Sequence, residues 1–125
     1  MRAWAIGTMA ILLSWAAFAQ NPDCTGVDNF PTRSAFVSLK NAYITDNYKV
    51  DFTKTKTVRL ASEKIGKDLY RQVHHVTFVE KSGTTIEVIT VNNASNAECS
   101  ESAVDVYVIS KHLGGAVKGN PRSKP

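Results

Sequence analysis

Apolar and polar residues alternate with a period of two from Tyr48 to Leu113, whereas the stretch before it repeats with the period of a helix. Ala35, Phe36, Leu39, Ala42 and Tyr43 fall on one stripe of a 3.6-residue turn, with Thr32 or Ser34 placed to cap its start and Thr45-Asp46-Asn47 to stop it. Beyond it, Val50 and Phe52 alternate with Lys49 and Asp51, and Val58 and Leu60 alternate with Arg59 and Ala61. The polar run Thr53–Thr57 between them predicts a connection or a twisted edge, where lysine discourages pairing with a foreign sheet. Gly66-Lys67-Asp68 reads as a turn, Leu69–Glu80 as a long strand, Lys81-Ser82-Gly83-Thr84 as a second turn and Thr85–Val91 as a strand rich in β-branched residues. A polar loop from Asn92 to Ser102 leads to a last strand, Ala103–Leu113, ended by Gly114-Gly115.

One helix followed by about four strands predicts an α+β domain, with an N-terminal helix packed on an antiparallel meander. The outline resembles that of cystatin-like folds and of small microbial ribonucleases. No family-specific motif accompanies it, and a shared outline assigns no function.

The ends add compartment and charge. Arg2, the apolar run Ala5–Trp15 and the small-x-small Ala17-Phe18-Ala19 predict a signal peptide over residues 1–19, cleaved before Gln20. The apolar run is shorter than the roughly 20 residues a membrane span needs, and no later run is long enough, so no transmembrane segment is expected after cleavage. Removing 19 of the 125 residues leaves 106, the size of one domain, expected over residues 20–115 with a disordered basic tail at 116–125. The expected location is exported, either periplasmic or secreted. Cys24 and Cys99, the only two cysteines, then predict one structural disulfide. They show no Cys-x-x-Cys spacing and no neighbouring histidine, so neither a metal site nor any cofactor is expected.

The formal charge of +4 is unevenly spread. Lys54, Lys56, Arg59, Lys64 and Lys67 crowd one stretch and form the candidate binding surface for an acidic protein or an anionic surface polymer. Asn93-Ala94-Ser95 matches a glycosylation acceptor, relevant only in a eukaryotic source.

The adjacent His74 and His75 are the remaining candidates for chemistry. Strand geometry sends them to opposite faces, so they cannot grip one metal together. With Ser82-Gly83 at a tight hairpin tip, Glu80 pairs with Thr85 and His74 with Val91, which places Glu87 on the face of Tyr70 and His74. That arrangement would allow acid–base cleavage of RNA, with His74, Glu87 and Tyr70 as catalytic candidates and nucleic acid as the substrate. Both faces of the hairpin are apolar, however, which predicts a strand pair covered on both sides and histidines that serve packing. The expectation is therefore a small exported non-enzymatic binding protein, such as an inhibitor, an immunity-type antagonist or an accessory protein of an envelope or secretion system. A secreted nuclease-like hydrolase is the alternative.

Overall fold

A computed structural model describes residues 21–111; the leader-like segment and the basic tail lie outside them. A helix, α1 (Phe30–Asn41), and a short 3₁₀ turn (Phe52–Lys54) precede four strands, β1 (Lys56–Gly66), β2 (Leu69–Val79), β3 (Thr85–Ala94) and β4 (Asp105–Lys111). The strands form one antiparallel sheet in chain order, β1-β2-β3-β4. This is the α+β meander that the periodicity predicts. No helix among the described residues is long and apolar enough to cross a membrane.

The helix starts earlier than expected, because Pro31 in its first turn presets a helical φ after the extended Asn29. Thr32 does not cap it; its hydroxyl shares a 2.6 Å hydrogen bond with that of Thr57 in β1. The end is set by Tyr43, whose φ of 58° turns the chain left-handed. Tyr43 N–H then donates to the Lys40 carbonyl and Ile44 N–H to that of Leu39, each at 3.0 Å. These two bonds make a Schellman cap. Ala42 and Tyr43 consequently leave the helix and are exposed, and the buried stripe consists of Pro31, Thr32, Ala35 and Leu39.

Leu39 and Ala35 close against Val76 and Phe78 of β2, Ile86 and Val88 of β3, and Val50, with Phe36, Ile44 and Val106 packed around them. Burying such a side chain is worth about 2 kcal/mol against leaving it in water. At the other end of the same sheet face the cover is the segment Asn21–Cys24. Its Pro22 carbonyl accepts from Gln72 Nε2 at 2.8 Å and from Arg59 Nη1 at 3.1 Å, and Cys24 is joined to Cys99 by the predicted disulfide. One face of the meander is therefore sealed by a helix and a strap.

The opposite face is not, among the described residues. Leu69, Val73, His75, Thr77 and Val79 of β2, with Glu87, Ile89, Val91 and Asn93 of β3, are half-buried, while Val58 and Tyr107 are exposed. The expectation of a hairpin covered on both sides is thus corrected. A single 12-residue helix and a short strap can blanket only one side.

The hairpin register is also corrected. Val79 pairs with Thr85, Val76 with Val88 and His74 with Thr90. The loop holds the five residues Glu80–Thr84, closed by Glu80 N–H to the Thr84 carbonyl and Gly83 N–H to that of Glu80, both at 2.8 Å. Gly83 supplies the required φ of 92°. The larger loop shifts β3 by one residue against the expected pairing, and a shift of one moves every β3 side chain to the other face.

Candidate functional site

That shift decides the histidine question. Tyr70, Gln72 and His74 share the sealed face, all buried, whereas Glu87 belongs to the open face with His75. The three candidates for RNA cleavage are therefore not assembled: Tyr70 and His74 stand on one side of the sheet and Glu87 on the other.

His74 is fully enclosed, with 0% of its surface exposed, between its register partners Arg59 in β1 and Thr90 in β3. Neither ring nitrogen has a hydrogen-bond partner among the described residues. Burial lowers its pKa, the Arg59 charge lowers it further, and Asp23 on the strap partly opposes both. A neutral imidazole is the form this environment favours. The position suits packing rather than proton exchange with a bound substrate.

His75 is the accessible member of the pair. Its Nε2 lies 3.2 Å from Glu87 Oε1, with the two side chains 30% and 34% exposed. The contact is close, but it lacks the direction of an aligned hydrogen bond. It bridges diagonally, since His75 stands opposite Ile89 and Glu87 opposite Thr77. The alternating pattern already separated the two histidines; only the loop length, carried by Gly83, could have revealed which of them meets Glu87.

The basic candidates fall along one edge of the sheet. Lys54 ends the 3₁₀ turn, which Asp51 caps by accepting from Thr53 N–H at 3.1 Å. The hydroxyl and N–H of Thr53 hold the Asp51 carboxyl below its ordinary pKa. Lys56 stands opposite Thr77 at the rim of the open face, Lys64 opposite Tyr70, and Lys67 in the β1–β2 turn. All four are exposed, and none is in an ion pair among the described residues. Arg59 differs, because its guanidinium is engaged with the Pro22 carbonyl and pins the strap. The structure thus brings four of the five onto an edge and gives the fifth a structural partner. β1 is an outer strand, interrupted by register shifts at Leu60 and Ile65.

Charge elsewhere sharpens this edge. Residues 21–111 carry eleven lysines and arginines against eleven carboxylates, so the net positive charge of the chain resides in Arg2, Lys118, Arg122 and Lys124. Within the neutral folded part, the β1 side is basic, whereas Glu98 and Glu101 in the β3–β4 connection and Asp105 at the start of β4 make an acidic end. Asn93, in the glycosylation-like triplet, lies near the end of β3, and its Ser95 is buried. Among the described residues, no three His, Cys, Asp or Glu side chains are placed to hold a metal ion. No protein-family model, curated protein or solved structure matches the chain.

Proposed function

We propose that the chain is a small exported binding protein, with no catalytic chemistry of its own, that engages the acidic surface of another protein through the outer edge of β1. The observation that carries the reading is the row of exposed cations at Lys54, Lys56, Lys64 and Lys67, in no ion pair among the described residues, on a folded unit with no net charge. A localised field of this kind steers an oppositely charged partner and sets its orientation. The Cys24–Cys99 disulfide is compatible with an oxidising compartment outside the cytoplasm. Inhibitor, immunity-type antagonist and accessory subunit are the roles in which such an edge would serve.

Reversing Lys54 and Lys64 together (Lys54→Glu, Lys64→Glu) tests the reading by photo-crosslinking in the source cell, with the crosslinker placed at Lys67. A single protein adduct is expected in the parent chain. It should fade with added salt and disappear in the double reversal, while the thermal midpoint stays within a few degrees. An adduct indifferent to both salt and reversal would remove the edge from the account. Capture of a polyanionic polymer in place of a protein would reassign the partner. The nuclease alternative predicts RNA cleavage by the metal-free, disulfide-bonded protein; none is expected, since His74 and Glu87 face opposite ways.

A further inference from the structure

Between Val79 at one end and Leu69 at the other, the open face of the sheet can be written as four cross-strand rows. Lys56, Thr77 and Glu87 form the first; Val58, His75, Ile89 and Tyr107 the second; Ala61, Val73, Val91 and Asp105 the third; Glu63, Arg71 and Asn93 the last. The two middle rows are mainly apolar, and the outer rows hold most of the charge. Side chains in such rows stand perpendicular to the sheet on one side of it.

The order of charges is self-complementary. A two-fold axis lying in the plane of contact, perpendicular to the strands and between the second and third rows, lays the first row of one copy over the last row of another. Lys56 then meets Glu63 of the second copy, and Glu87 lies diagonally across from Arg71 of the second copy. In the middle, Val58 covers Ala61, His75 covers Val73, and Ile89 covers Val91. The Tyr107 phenol falls over the Asp105 carboxylate. Every contact occurs twice, as an isologous interface requires. The opposite choice, an axis along the strands, places Ala61 over Asp105 and leaves Glu63 without a counterpart.

We propose that this face is a homodimer interface, in which two copies stack sheet on sheet about that axis. The four strands give a face of roughly 19 by 25 Å, about 500 Å² per copy. Stacking therefore covers on the order of 1,000 Å² in all, the size at which a specific interface begins. Aligned packing about 10 Å apart, with strands within about 30° of each other, is the ordinary geometry for two twisted sheets. The helix and the strap of each copy lie on the outer sides, away from the contact. The proposal shares Lys56 with the basic edge but uses none of Lys54, Lys64 and Lys67, on which the test of the binding function rests, so the two readings can fail separately.

Sedimentation equilibrium of the processed, disulfide-bonded chain tests it. The parent protein should show a reversible, concentration-dependent dimer. Ile89→Lys should leave a monomer across the same range with an unchanged far-UV spectrum. Lys56→Glu alone and Glu63→Lys alone should each weaken the dimer by about tenfold, since each places two like-charge contacts in the interface. Combining Lys56→Glu with Glu63→Lys should restore it, and because these positions stand seven residues apart along an extended strand, the rescue can only pass between copies. A monomeric parent protein, a dimer that survives Ile89→Lys, or a double variant no better than either single one would overturn the interface.

Discussion

Tyr43 holds a backbone conformation that nothing about its side chain explains. Its φ is 58° and it is 95% exposed, so the ring contributes no packing while the residue bears the steric cost of the left-handed region. Glycine adopts that region freely, at the expense of a more flexible unfolded chain. Tyr43→Gly should therefore raise the urea midpoint, by up to about 1 kcal/mol in stability. A decrease would show that the ring has a role outside the fold. His74 presents the opposite case, a side chain whose setting is entirely explained by burial. Its folded pKa is lowered by burial and by Arg59, so the unfolded chain binds the proton more readily than the folded one. The contribution of a neutral His74 is complete above the unfolded value of about 6.5 and is lost as pH falls through the lower folded value. Stability measured by urea titration should accordingly decline between neutral and mildly acidic pH in the parent protein. The decline should be shallower in His74→Gln, whatever that substitution costs at neutral pH. Equal slopes would show that His74 does not set the acid sensitivity in this range; Asp23 and Asp51, whose pKa values are lowered chiefly by hydrogen bonds from Thr25 and Thr53, lose their contributions only at more acidic pH.

Elements were legible in the sequence to the degree that their signals were local. The period-two runs around Gly66-Lys67-Asp68 and Gly83 placed β1, β2, β3 and their turns, since alternation and turn chemistry depend on neighbours alone. The ends of α1 were misplaced at both sides. Pro31 extends the helix upstream of the apolar stripe, and a left-handed tyrosine ends it where a stripe including Ala42 and Tyr43 predicted continuation. The candidate site failed on one number, the length of the β2–β3 loop. A four-residue turn and a five-residue loop around Gly83 share the same sequence, but they differ by one residue in register and send Glu87 to opposite faces. The strap was invisible for a different reason. Gln72, Arg59 and Pro22 are 13 to 50 residues apart in pairs that no periodicity links, and only the three-dimensional path of the chain brings them to one carbonyl. Local sequence therefore groups Arg59 with its basic neighbours, although its guanidinium is spent on the strap.

Across the whole molecule, the Cys24–Cys99 disulfide joins the two parts that no sheet hydrogen bond connects. It spans 75 positions, from the strap over His74 to the loop between β3 and β4. Asn92 Nδ2 donates to the Cys99 carbonyl at 2.7 Å, and Gln72, its cross-strand partner, donates to Pro22 on the strap. The bridge and these two amides thus clamp the same end of the sheet. A loop of this length carries a chain-entropy contribution of about 4 kcal/mol, a large share of the 5–15 kcal/mol by which a domain of this kind is stable. Replacing both cysteines, Cys24→Ala with Cys99→Ala, should lower unfolding free energy by about 2–5 kcal/mol in urea titrations while the far-UV spectrum at low urea keeps its strand signature. The same variant should show a second effect that a simple loss of stability does not produce. With the strap held by its hydrogen bonds to Gln72, Arg59 and Ser62 alone, it opens more often and admits water to His74. The imidazole pKa, followed by NMR, should then move up toward its ordinary value. A destabilised variant whose His74 still titrates as in the parent protein would mean that the strap stays shut without its bridge, and that the disulfide acts on the unfolded chain alone.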